Sequence, residues 1–171
     1  LSFPLESDIN DTKEHRPGFG GSSGANKIAL GVATCLGVGK CPIAPGSVAS
    51  LLTIPLYLLL SSVQWWLMVG VTGALLTLGI WASGRAEFLM KKRDPSFVVI
   101  DEVVGYLVAM QLLPPSFWKV VVGFSLFRCL DIIKPPPIRW LDRSIQGGVG
   151  IMADDLVAGI ITNLALRMFP W

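Results

Sequence analysis

The sequence predicts an all-α fold: a compact multi-helix bundle of short hydrophobic helices, embedded in or associated with a membrane. Three observations carry this expectation. The chain of 171 residues is 52% hydrophobic and 15% charged, where soluble globular domains have roughly 25% charged residues. From Val48 onward it becomes a series of nearly continuous apolar segments separated by short turns. The charged residues between these segments gather at alternate ends, as they do when helices run up and down between two faces.

The elements follow in order. Residues 1–26 are polar, mixed in charge and rich in Gly and Ser, without an apolar stretch of the signal-peptide kind, and are expected to form a disordered tail. Residues 27–171 are expected to form a single helical domain. The stretch GVGKCPIAPGS (37–47) has the look of a phosphate loop but not the spacing of one. A Walker loop needs glycine six positions before its lysine and Ser or Thr after it; here those positions hold Thr34 and Cys41. The dinucleotide fingerprint also fails, because Pro42 stands where its third glycine belongs. No nucleotide and no nucleic acid is therefore expected as a partner.

A helix is expected to begin near Val48 and run through VASLLTIPLYLLL (48–60), turning at SSVQ (61–64) into WWLMVGVTGALLTLGIWA (65–82). Only this second segment approaches the roughly 20 residues that cross a hydrocarbon core. VVGYLVAMQLL (103–113), the turn PPS (114–116) and FWKVVVGFSLF (117–127) form a second hairpin, and LVAGIITNLALRMF (156–169) a last helix. Both turns lack charge, whereas Arg85, Lys91, Lys92 and Arg93 follow the second segment and Arg128, Lys134, Arg139 and Arg143 the fourth. The positive-inside rule puts those ends, and the 37–47 loop with them, at the cytoplasmic face. Lys119, near the opposite face, is the exception.

The polar chemistry converges on that face. Two acidic pairs, Asp101 with Glu102 and Asp154 with Asp155, each precede two aliphatic residues and then small ones, Gly105 in one case and Ala158 with Gly159 in the other. Small residues let helices approach closely, so each pair is expected beside a helix crossing. Four carboxylates gathered there would repel one another without a cation, and hard oxygen ligands favour Mg2+ or a similar ion. The alternative is helix capping, in which acids of a first turn complement the helix dipole. Between the pairs lies FRCLDIIKPPPIRWLDR (127–143): Arg128 and Asp131 share a helical face, and Lys134 precedes three prolines that end the helix. These cations suit lipid phosphates or topology alone. The only histidine, His15, is in the tail, and the three cysteines show neither zinc spacing nor a phosphatase loop. Buried, unreactive cysteines are expected, and metal-activated water is the simplest nucleophile for phosphoester cleavage.

Taken together and in this order, GVGKCPIAPGSVAS, VVIDEVVG, FRCLDIIKPPPIRWLDR and GGVGIMADDLVAG resemble the motifs of the phosphatidylglycerophosphatase A family, over roughly residues 28–168. The resemblance implies Mg2+-dependent conversion of phosphatidylglycerophosphate to phosphatidylglycerol and inorganic phosphate at the cytoplasmic side of the bacterial inner membrane. It assigns Asp101, Glu102, Asp154 and Asp155 to the metal, and Arg128, Asp131 and Lys134 to catalysis and phosphate contact. Lys40, Gly46 and Ser47 become the substrate phosphate loop. Where the family has A-P-G-T-x-G-S, this chain reads Ala44 to Ser50 with Ser47 for the threonine, keeping the hydroxyl, and Ala49 for the second glycine. The expected partners are a phospholipid and the membrane, with room for a homo-oligomer. Two other readings stand beside this one: a phosphatase of another phospholipid such as phosphatidic acid, and a transporter or scaffold whose intramembrane acids carry ions or fix helix packing.

Overall fold

The computed structural model describes residues 23–136 and 138–168; most of the expected tail, with His15, lies outside them. The described residues form seven α-helices and no strand: α1 (Ser23–Ala33), α2 (Pro45–Ser61), α3 (Trp65–Met90), α4 (Ile100–Ala109), α5 (Phe117–Ile133), α6 (Ile138–Ser144) and α7 (Gly147–Met168), with one 3-10 turn at Val38–Lys40. The two expected hairpins are α2–α3 and α4–α5. Helix α7 lies at the centre, against α3, α4, α5 and α6. Two elements were not anticipated. Helix α1, whose first residues were read as tail, packs along α3, and the short α6 packs on α7.

Helix boundaries follow local chemistry. Pro45 opens α2 at a position where its missing N–H costs nothing. The α5 helix stops where Lys134 turns left-handed (φ 45°) ahead of Pro135, which cannot continue a helix. Helix α4 is short because Pro95 and the non-helical Val99 (φ −142°, ψ 5°) precede it, and Leu112 at φ 57° and Pro114 follow. Nearly every side chain of α4 is buried, Val104, Tyr106 and Leu107 among them, and with Tyr57, Phe127, Met152 and Leu166 they form the core. The last helix starts well before Leu156, at Gly147, so Asp154 and Asp155 lie inside it rather than at its start.

The two hairpin turns meet at one end of the bundle, where Tyr57 Oη donates to the carbonyl of Leu113 at 3.0 Å and Leu60, Ser61 and Val63 line a common apolar cavity with residues 112–115. Trp65, Trp66, Phe117 and Trp118 are exposed at this end, as in an interfacial aromatic belt. Helices α3 and α7 are each long and apolar enough to cross a membrane. They differ in setting: half of α7's apolar stretch is buried in the bundle, whereas only 28% of α3's is.

The tightest crossing is between α4 and α7. A Cβ on Gly159 would overlap the carbonyl of Gly105, and one on Gly105 would stand 2.9 Å from the carbonyl of Asp155 and 2.7 Å from the Phe127 ring. Backbone atoms cannot move aside as a side chain can, so Gly159→Ala is expected to lower stability by about 1–3 kcal/mol. Gly70→Ala, in open space on α3, should be neutral or slightly stabilising. Thermal unfolding in one detergent checks both.

Candidate active site

At the end opposite the hairpin turns, five elements surround a cavity of about 270 Å³. Asp101 and Glu102 occupy the first turn of α4, and Asp155 lies in α7. Gly105 and Gly159 stand one turn beyond Asp101 and Asp155, so the glycine crossing holds the two acids face to face. Carboxylate oxygens of Asp101, Glu102 and Asp155 lie within 4.8 Å of one another. Asp101 Oδ1, Glu102 Oε2 and Asp155 Oδ2 are shut off from solvent and have no hydrogen-bond partner. Burial, reinforced by the neighbouring charge of Glu102, pushes the Asp101 carboxyl well above the usual carboxylate range. Three buried carboxylates at this spacing, each with an oxygen left unsatisfied, are costly alone and suit a hard divalent cation, which takes oxygen ligands. The donor set therefore fits the ion that the resemblance implies.

Asp154 has a different place from the one expected. It lines the same cavity but lies outside the group of three, because its carboxylate is paired with Lys134 Nζ. Helical geometry is the reason: adjacent residues point about 100° apart, so α7 can turn only one of its two acids toward Asp101. Capping accounts for Asp101 and Glu102 by position but not for Asp154 or Asp155, which are past the first turn.

The cationic wall comes from the end of α5. Arg128 Nη1 approaches Asp131 Oδ2 at 2.6 Å and Glu102 Oε1 at 3.8 Å. The first contact is an ion pair, and Nε and Nη1 are buried and make no hydrogen bond within the chain. A guanidinium held by two carboxylates with donors unspent is preorganised for an oxyanion. Lys134 lines the same cavity as the C-cap of α5.

The 37–47 loop divides. Gly46 lines the cavity, and a Cβ there would overlap Glu102 Oε1 and come within 3.1 Å of Arg128 Nη2. The start of α2, with no side-chain cap, presents amides lacking intrahelical acceptors. Ser47 and Lys40 are not among the lining residues; Lys40 opens onto a second cavity. Gly46→Ala should reduce turnover roughly 100-fold by displacing the groups around the reacting phosphate, with little change in melting temperature. Loss of folding instead would contradict a positioning role.

Two lining residues were missed, Asp94 and Ser96. Asp94 sits at φ 44°, a left-handed conformation that Asp tolerates better than most. The signal available was R-D-P-S just upstream of the first acidic pair, a turn-forming sequence. Of the cysteines, Cys35 is half-buried and its thiol is pushed up to about 11 by burial and the charge of Glu102, which makes it a poor nucleophile. Cys129 is exposed, contrary to the expectation of burial.

The chain is similar to known proteins over most of its length. The family model described as phosphatidylglycerophosphatase A matches residues 31–170. Phosphatidylglycerophosphatase A of Escherichia coli (strain K12) is 39% identical over 132 residues, 77% of each chain. The protein of that name from Haemophilus influenzae is 35% identical over 137 residues, covering 79% of this chain and 83% of its own. A Bacteroides thetaiotaomicron protein provisionally named a phosphatidylinositol-3-phosphatase is 36% identical over 151 residues, covering 82% of this chain and 92% of its own. No solved structure matches the chain.

Proposed function

The chain belongs to the phosphatidylglycerophosphatase A family of phosphatases, and from that premise we propose that it removes the terminal phosphate of phosphatidylglycerophosphate in a Mg2+-dependent hydrolysis at the cytoplasmic face of the inner membrane. The observation that carries the reading is the meeting of Asp101, Glu102 and Asp155 from two distant segments, beside a guanidinium with unspent buried donors. Asp101, Glu102 and Asp155 would hold the ion. Bound there, it would supply Lewis-acid polarisation of a phosphoryl oxygen and a more acidic water.

The chain's own residues account for the rest. Arg128 binds the phosphate oxygens through Nε and Nη1, and its ion pairs to Asp131 and Glu102 fix its plane before substrate arrives. Lys134, held by Asp154, adds a second positive charge where charge develops on the transferring phosphoryl group. The missing Cβ of Gly46 lets the α2 amides approach the same oxygens. A water oxygen forms the new P–O bond as the bond to the glycerol oxygen breaks. Asp131, against Arg128 and at the cavity wall, takes the water's proton, and the departing alkoxide is protonated from solvent.

The arrangement of the bundle supports a membrane setting: the uncovered apolar face of α3 and the aromatic end lie away from the polar cavity. The Bacteroides relative's name favours one second reading, that head groups other than glycerophosphate are accepted. Both are tested by phosphate release from purified protein in detergent micelles. Mg2+-dependent hydrolysis of phosphatidylglycerophosphate, preferred over phosphatidic acid and phosphatidylinositol 3-phosphate in direct competition, is expected. Equal use of all three would support the broader reading, and no hydrolysis of any would refute both.

A further inference from the structure

Beside the acidic cavity is a second, larger one of about 620 Å³, walled by Leu30, Leu36, Met90 and Phe97 and edged by Lys27 and Lys40. The two cavities share a partition. In the segment ahead of α4, Ser96 and Val98 line the acidic cavity while Phe97 between them lines the other; in the 37–47 loop, Ala44 to Gly46 line the first and Lys40 the second. The partition is stiff. Thr34 Oγ1 accepts the Gly37 N–H at 3.1 Å and the Thr34 carbonyl accepts the Gly39 N–H at 3.0 Å, and Gly39 lies so close to the carbonyl of Phe97 that any Cβ would overlap it. Leu36 stands on the rim 95% exposed, at φ 57°, an uncommon conformation for a bulky residue and costly unless the surroundings enforce it.

Charge decides what fits. The cations of the acidic cavity are held in place by its carboxylates, Arg128 by Asp131 and Glu102 and Lys134 by Asp154, and face the transferring phosphate. The ammonium groups of Lys27 and Lys40 have no carboxylate partner among the described residues. A cavity with an apolar wall and two uncommitted cations on its edge matches an amphiphile that bears a phosphate next to hydrocarbon. The proposed substrate has that composition beyond its reacting end: a glycerol bridge joins the terminal phosphomonoester to a phosphodiester and then to a diacylglycerol.

We infer that the second cavity is the subsite for the non-reacting part of the substrate, in which Lys27 and Lys40 hold the phosphodiester while Leu30, Leu36 and Phe97 cover the glyceride backbone. The inference rests on the proposed reaction. It reassigns Lys40 from the transferring phosphate to the one that stays on the lipid. The terminal phosphate then lies on the acidic side of the Ser96–Val98 partition, with the glycerol bridge passing over its rim. Binding energy gathered here, away from the reacting centre, orients the phosphomonoester.

The test is steady-state hydrolysis of phosphatidylglycerophosphate in mixed micelles by the wild type, Lys27→Gln, Lys40→Gln and the double variant, with inorganic phosphate as competitive inhibitor. The double variant should show KM raised about tenfold with kcat within about twofold and an unchanged inhibition constant for inorganic phosphate, which has no diester. An unchanged KM overturns the inference. Weakened inhibition by inorganic phosphate also overturns it, because Lys40 would then serve the reacting phosphate. A fall in kcat at constant KM does the same. Wild-type protein inactive on this lipid would refute the proposed reaction itself, a result distinct from all of these.

Discussion

Asp155→Asn should reduce phosphate release from phosphatidylglycerophosphate by about a thousandfold while leaving the protein folded. Asparagine keeps the volume of the side chain, so the glycine crossing beneath it is undisturbed, but it brings one charge fewer to a group whose ligand oxygens lie within 4.8 Å of one another. In chelator the variant should melt at the same temperature as wild type or higher, since a buried like charge has been removed. Loss of function with stability retained or gained separates a ligand role from a structural one. Asp154→Asn is the internal control. That carboxylate is paired with Lys134, and its loss should cost roughly 10- to 100-fold through a misplaced ammonium group. Equal effects at the two positions, or a fully active Asp155→Asn protein, would show that the neighbouring acids do not have the separate tasks assigned here.

Arg128→Lys should have the second largest effect, a loss of about 100-fold or more concentrated in kcat. The substitution preserves the positive charge and so most of the attraction to Asp131 and Glu102. It removes the planar fork whose Nε and Nη1 donors are buried and unspent, and a lysine cannot meet two phosphate oxygens at once. Measuring kcat and KM separately is the check. If Arg128→Lys retains full kcat, the guanidinium serves charge balance within the carboxylate cluster and does not bind the transferring group. Arg128→Ala is less informative, because stripping the partner from Asp131 and Glu102 would destabilise the bundle end by itself.

Much of this was legible in the sequence. The acidic pairs and the small residues beyond them predicted that each pair lies beside a helix crossing, as both do where α4 meets α7, because close packing and a costly charge are both readable from residue type and helical spacing. The same spacing gave the Arg128–Asp131 pair and the end of α5 before Pro135. Three things were not readable. The direction each of two adjacent acids faces depends on where α7 begins, and its start at Gly147 lies well upstream of the apolar run. Lys40 was placed by its nearness in sequence to Gly46, but the chain turns between them, and the two residues open onto opposite sides of a partition. Helix α1 was hidden because KIALGVA is short and follows polar residues, so its burial against α3 depends on tertiary context that local propensity does not contain.

The central claim is that carboxylates from α4 and α7 bind one divalent cation together. Its most direct test is titration of chelator-treated protein with Mn2+, a spectroscopically visible stand-in for Mg2+, followed by electron paramagnetic resonance. The account predicts one tightly bound Mn2+ per chain, displaced by Mg2+ and lost in both Asp101→Asn and Asp155→Asn. Retention of that ion in either variant, or no bound ion in the wild type, would contradict it.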